Sequence, residues 1–207
     1  MIITVQNQKG GVGKSTISVH IAFELAKQGR TLLIDTDPQG SSRDWAAIRE
    51  SEPPFPVIGL DRPTIHRDIS KFTADYDHIV IDGPPRVSEL ARSGIICADL
   101  VLVPVQPSPY DVWAAEETVK LLQEASVYKE NLKGVFVVNR KIVNTSIGRE
   151  VNQALAEYGI PVLKTHVCQR VSFADSASSG SVVQEVDPTG KATNEIRLLV
   201  KEILNYA

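Results

Sequence analysis

Residues 9–16 read Lys9-Gly10-Gly11-Val12-Gly13-Lys14-Ser15-Thr16, between an apolar run, Ile2–Val5, and a helical pattern at 15–28 with Ile17, Ile21 and Leu25 on one face. Glycines let a backbone turn with several N–H groups facing one point, and the N-terminus of the next helix adds partial positive charge there. Strand, glycine loop and helix in that order form a phosphate cradle, in which Lys14 reaches the terminal phosphates and the Ser15 hydroxyl ligates Mg2+. The expected nucleotide-binding residues are therefore Gly10, Gly11, Val12, Gly13, Lys14, Ser15 and Thr16. The general pattern G-x-x-x-x-G-K-[ST] places glycine where this chain has Gln8.

Outward from the loop, short β-branched runs alternate with amphipathic stretches. Strands are expected at 31–34, 78–81, 100–103, 135–138 and 162–165, and helices at 64–72, 87–96, 112–126, 147–158 and 195–206. Several of the strand runs are continuously apolar, as strands covered on both faces are. Alternation of this kind predicts an α/β fold: a doubly wound, mostly parallel sheet with helices on both faces, joined by right-handed crossovers. Prolines at 53, 54, 56 and 63 predict an irregular loop over 50–61, and a Gly, Ser and Asp-rich stretch predicts another over 180–191. No repeat or boundary divides residues 1–207, so one domain is expected.

Composition narrows the classes. Lys plus Arg is 22 and Asp plus Glu is 25, a net charge of −3, with 43% hydrophobic residues. Those proportions exclude disorder and collagen-like repeats, and the charge gives no general sign of nucleic-acid affinity, although a local basic patch fits within it. No apolar run approaches the ~18–20 residues of a membrane helix. The opening MIITV lacks the basic start and apolar middle of a signal peptide. Cys97 and Cys168 are too far apart for a disulfide framework or a zinc site, and a reducing cytoplasm is the expected compartment.

Lys9, a second lysine at the mouth of the loop, makes KGGVGKST distinctive. The segment resembles the deviant Walker A loop of the ParA/MinD ATPase family. Residues 32–40, LLIDTDPQG, are similar to that family's Walker A′ motif, and residues 78–85, HIVIDGPP, to its Walker B strand. The resemblance extends over nearly the whole chain and is nearest to the small ParA-type partition proteins (ParF-like). It implies a P-loop NTPase fold, ATP and Mg2+ as cofactors, and a Mg2+-dependent ATPase that is weak alone and stimulated by a partner protein. It also implies that Lys9 crosses a dimer interface to the nucleotide of the other subunit.

Asp35, Asp37 and Asp82 each end a predicted parallel strand, where open α/β sheets bind ligands. Three carboxylates beside one phosphate need a cation. Taken singly, each also suits a helix cap or turn. By resemblance Asp37 orients the attacking water and Asp35 and Asp82 hold Mg2+ through its waters, so Lys9, Lys14 and Asp37 form the expected catalytic set. Residues 103–111, VPVQPSPYD, form a proline-fixed path. Asp111 caps the next helix in one reading; in the other, Pro107 and Asp111 line the nucleotide and dimer interface, as the family's proline-rich segment does. Asn139 is a candidate for adenine, with which a carboxamide can both donate and accept.

The family's ParA branch moves DNA or protein cargo, its MinD branch works on membranes, and its NifH-like branch needs paired cysteines that this chain lacks. The stretch at 195–206 is amphipathic but carries two Glu against one Arg and one Lys, which suits a packed last helix better than a membrane anchor. The chain starts directly at its first strand, so sequence-independent contacts to double-stranded DNA phosphates are expected, with Lys164, Arg170, Lys191, Arg197 and Lys201 as candidates or as ordinary solvated charges. The expectation is a DNA-segregation ATPase, cytoplasmic and nucleoid-associated. Its partners would be a second copy of itself, a ParB-like or small centromere-binding adaptor and nonspecific DNA, and no membrane. Two alternatives stand beside it: a positioning factor acting on a membrane or protein surface without DNA, and a metabolic P-loop phosphotransferase.

Overall fold

The computed structural model describes residues 1–86, 88–143 and 147–206. Six strands form one sheet in the order β3-β2-β4-β1-β5-β6: β1 Ile2–Val5, β2 Thr31–Asp35, β3 Val57–Gly59, β4 His78–Asp82, β5 Leu100–Val105 and β6 Lys133–Val138. All five pairings are parallel. Between β1 and β4 the chain departs in opposite directions, so a crevice opens at their carboxyl ends, with Val5 in register with Asp82.

Alternate residues of each strand serve opposite faces. Ile3, Leu33, Val80, Leu102 and Val137 pack under α1 (Lys14–Leu25) and α9 (Lys191–Leu204). Val101, Val103, Phe136 and Val138 pack under α4 (Glu89–Cys97), α5 (Pro109–Ser126) and α6 (Ile147–Ala156). Ile2, Leu32, Ile34 and Ile79 meet the short α3 (Ile65–Asp68), which continues as a 3-10 turn at Ile69–Lys71. Helix α9 spends its apolar face, Ile196, Leu199, Val200 and Ile203, in this core and leaves Arg197 and Lys201 outside.

Several expectations need correction. The predicted loop at 50–61 contains β3, an edge strand of three residues; Pro53, Pro54 and Pro56 precede it and Pro63 follows it, and the carbonyl of Pro56 accepts from Leu33 N, a use of proline that an edge tolerates. The predicted strand at 162–165 makes only one bridge, Val162 to Phe136, because Lys164 N and Thr165 N donate to the Glu202 carboxylate at 2.8 and 2.9 Å instead of to a ladder. The predicted loop at 180–191 includes a helical turn, α8 (Val183–Val186), and α9 starts at Lys191 rather than at 195. Helix α2 (Ser41–Ala47) had no sequence-based expectation, and α7 (Val171–Ser178) follows directly on Arg170. Helix α5 begins at Pro109, three residues before the expected start, with proline in the first turn where its missing N–H costs nothing. Helix α4 starts after Ser88, whose Oγ accepts from Ala91 N; its expected start, Val87, lies outside the described residues.

Candidate functional site

The loop between β1 and α1 closes on itself. Gly11 and Gly13 have φ of 76° and 93°, left-handed values that a side chain resists. Among the described residues the amides of Gly10, Gly11 and Gly13 make no hydrogen bond within the chain, which leaves them available at the start of α1. Carboxamides at the ends of β1, β5 and β6 brace the loop. Asn7 Nδ2 donates to Pro104 O, Gln106 Nε2 to Gly11 O, and Asn139 Nδ2 to Val12 O at 2.6 Å. Gln8, the departure from the general pattern, donates to Ala114 O on α5.

The two lysines are placed differently. Lys14 is buried and lies back over the loop, its Nζ 3.2 Å from Lys9 O. Burial lowers its pKa, against the opposing pull of Asp82 and Asp37. Lys9 turns outward: its Nζ sits 2.7 Å from Asp111 Oδ2, with 39% of its side chain exposed against 3% for Asp111. Asp111 thus serves as Lys9's counter-ion in the first turn of α5, and its Oδ1 is buried without a hydrogen-bond partner. Pro107 is half-buried beside this turn, next to Gln106.

The three aspartates divide their work. Asp82 is fully buried; Ser42 Oγ donates to its Oδ2 at 2.7 Å, and Ser15 and Ser18 hydroxyls lie beside it. Loss of hydration pushes its pKa up to about 6. Asp35, also fully buried, accepts from three backbone amides: Asp37 N on Oδ1, and Ser42 N and Arg43 N on Oδ2, all at 3.0 Å. Burial raises its pKa despite those bonds. Asp35 is therefore the anchor of the following turn and of α2, the capping geometry that a single aspartate also suits. Asp37 is half-buried, and its Oδ1 accepts from Gln39 N at 2.9 Å.

On the other side of the loop lies a cavity of about 840 Å3, lined by Gly13, Thr16, Asn139, Cys168, Phe173 and Ala177 among others. Its walls come from the loop, the end of β6 and α7, and its volume is in the range of small-molecule sites. Asn139 lines it, yet both ends of its carboxamide are engaged, Nδ2 on Val12 O and Oδ1 with Arg140 N. A Cβ on Gly13 would meet that Nδ2 at 2.3 Å, so glycine is what lets the brace reach the loop. The sequence reading sends Asn139 to adenine; the structure places it on the cavity wall with Gly13, Thr16 and Arg170, engages its amide in holding the loop, and adds Phe173 and Ala177, which the sequence did not single out. Gln106 is likewise new.

Of the five basic candidates, Lys164, Lys191, Arg197 and Lys201 are exposed, the last three along α9. Arg197 Nε is 3.8 Å from Glu24 Oε1. Arg170 is held by Glu195 through both Nε and Nη2, so its guanidinium is committed to α9.

The donor set fits Mg2+: one hydroxyl, Ser15, beside one fully buried carboxylate, Asp82, at the edge of an anion cradle. Hard oxygen ligands, few from the protein and the rest from phosphate and water, are what Mg2+ takes. The cost of burying Asp82 gives a cation a reason to be there.

Three comparisons meet this geometry. The family model described as the CobQ/CobB/MinD/ParA nucleotide binding domain matches residues 3–183. The maintenance of carboxysome distribution protein A of Halothiobacillus neapolitanus is 30% identical over 206 residues, 98% of this chain and 95% of that protein. The chromosome-partitioning ATPase Soj of Thermus thermophilus is 27% identical over 236 residues, 98% of this chain and 94% of that protein. Among solved structures, apo McdA of Cyanothece superposes with a TM-score of 0.82 at 15% identity, covering 98% of both chains. A cobyrinic acid a,c-diamide synthase of Mycobacterium smegmatis, with an ATP analogue and magnesium bound, superposes with 0.82 at 20% identity over 99% of this chain and 94% of that one.

Proposed function

This chain belongs to the CobQ/CobB/MinD/ParA nucleotide-binding domain family, and from that premise we propose that it is a Mg2+-dependent ATPase of ParA type, which moves DNA or another cargo by switching into an ATP-bound dimer that grips nonspecific DNA. In this reading the amides of residues 10–13 and Lys14 bind the phosphates, and Thr16 and the wide cavity receive the nucleoside. Ser15 and Asp82 hold Mg2+, which when bound neutralises charge on the phosphates. Asp37 orients the attacking water, and Asp35 fixes the turn that carries it.

The observation that carries the switch is the position of Lys9. A lysine committed to its own chain's phosphates would be buried over the loop, as Lys14 is; Lys9 is instead partly exposed, with its ammonium on the buried Asp111 carboxylate. In this reading, release from Asp111 frees it to reach a nucleotide held by a second copy. Hydrolysis then waits for that copy, and a partner protein, ParB-like or an adaptor, sets its rate by acting on the dimer.

DNA as the track is supported by α9. Its exposed cations, Lys191, Arg197 and Lys201, with Lys164 nearby, suit phosphates, while its apolar face is already spent in the core, which disfavours a bilayer. Arg170, bound to Glu195, is left out of that surface. The names of the two relatives speak for positioning but for different cargoes.

Retention on duplex DNA with ATP, ADP or no nucleotide, at two salt concentrations, tests the track. Binding in ATP alone, weakening with salt and lost in Arg197→Glu/Lys201→Glu with ATP affinity intact, is expected. Binding that ignores nucleotide, or retention on anionic vesicles and not on DNA, would contradict it.

A further inference from the structure

The turn that carries Asp37 is held by a residue with no assigned role. Arg43 lies in α2, one turn past Asp37-Pro38-Gln39-Gly40. Its Nη2 donates to Asp37 O at 3.3 Å, and its Nε sits 3.7 Å from Asp35 Oδ2, buried without a hydrogen-bond partner. Its backbone N is one of the three amides on Asp35. Two glycines make room for the guanidinium. A Cβ on Gly40 would come within 2.9 Å of Nη2, and one on Gly59, on the edge strand β3, within 3.0 Å of Nη1 and Cδ. Gly40 is also left-handed, with φ of 73°.

Each contact alone is ordinary, but together they form a clamp. The guanidinium is wedged between the entry to α2 and the edge of the sheet, with one donor on the Asp37 carbonyl and its charge toward Asp35. A planar, permanently charged fork suits this task, whereas a lysine offers one compact charge on a flexible stem. We propose that Arg43 is a positioning residue for the Asp37 turn, fixing the direction in which the Asp37 carboxylate faces the phosphate cradle. This rests on the reading of Asp37 as the group that orients the attacking water.

A displacement of about 1 Å in a group that orients a reactant can cost up to about a hundredfold in rate while leaving binding alone. Arg43→Gln is therefore expected to lower the turnover of ATP by about tenfold, with ATP affinity within about twofold of wild type. Gly59→Ala should act in the same direction with a smaller effect, because it crowds the flexible end of Arg43 rather than the backbone. The double variant should be no worse than Arg43→Gln alone, since both changes act through one slot. Hydrogen exchange in nucleotide-free protein gives an independent readout, with faster exchange confined to residues 37–42 in both single variants.

Unchanged turnover in Arg43→Gln, or additive losses in the double variant, would overturn the assignment. So would faster exchange spread over the whole sheet with affinity and turnover falling together. If wild-type protein releases no phosphate under any condition, the hydrolysis reading fails separately, and the exchange pattern at 37–42 alone decides whether Arg43 holds the turn.

Discussion

The two halves of the crevice at the carboxyl edge of the sheet are built on opposite principles. The phosphate half concentrates buried charge: Lys14, Asp35 and Asp82 are almost wholly removed from water, the lysine donating to the Lys9 carbonyl and the two aspartates accepting from backbone amides and serine hydroxyls. The base half is an open cavity of about 840 Å3, with Val167, Phe173 and Ala174 on its walls; of the two arginines that line it, Arg140 and Arg170, the second is tied to Glu195. Buried charge costs stability unless a counter-charge offsets it, so the first half favours a charged ligand. The second half costs the fold little, and it selects by shape.

Substitutions on the two sides should therefore separate. Lys14→Ala removes the inward cation, and nucleotide affinity should fall by about two orders of magnitude, read by titration with a fluorescent ATP analogue. Ala174→Trp partly fills the cavity, and ATP affinity should fall by about tenfold while competition by inorganic triphosphate is unchanged. Equal loss of both ligands would show that the halves are not independent. The smallest effect concerns the fold itself. Asp82 has its pKa raised from 3.8 to about 6, so the folded state holds this proton more tightly than the unfolded one. Stability is then lost as pH rises from 3.8 toward 6, and the full cost, up to about 3 kcal/mol, is present above 6. Asp82→Asn should match wild type near pH 4 and melt higher above pH 6 without nucleotide, although it weakens the Mg2+ site. Equal melting at pH 7.5 would mean that Ser42 and Ser18 already compensate the charge.

The same contrast explains what was legible in the sequence. The phosphate half is written in contiguous residues: glycines with left-handed φ next to a helix start, and aspartates at strand ends. Local chemistry therefore located Lys14, Asp35 and Asp82 without a fold. The base half draws on residues 13–17, 139–143 and 167–177, which only the crossovers bring together. Asn139 was legible as a polar strand end, but its direction was not, because the carbonyl it bonds, Val12 O, is 127 residues away. Lys9 and Asp111 were both visible, and their pairing across 102 residues was not. Arg170 read as a surface cation until α9 brought Glu195 against it. Edge strand β3 was hidden by its prolines, and Arg43 by the absence of any pattern around it.

Lys9 and Lys14, five residues apart, one partly exposed on Asp111 and the other buried against the Lys9 carbonyl, hold the central claim. Sedimentation velocity of Lys9→Ala with ATP and Mg2+, beside wild type, tests it most directly. Wild type should shift from monomer to dimer with ATP, and Lys9→Ala should stay monomeric while still binding the nucleotide. A Lys9→Ala protein that dimerises with ATP as wild type does, or a wild type that never leaves the monomer, would contradict the account.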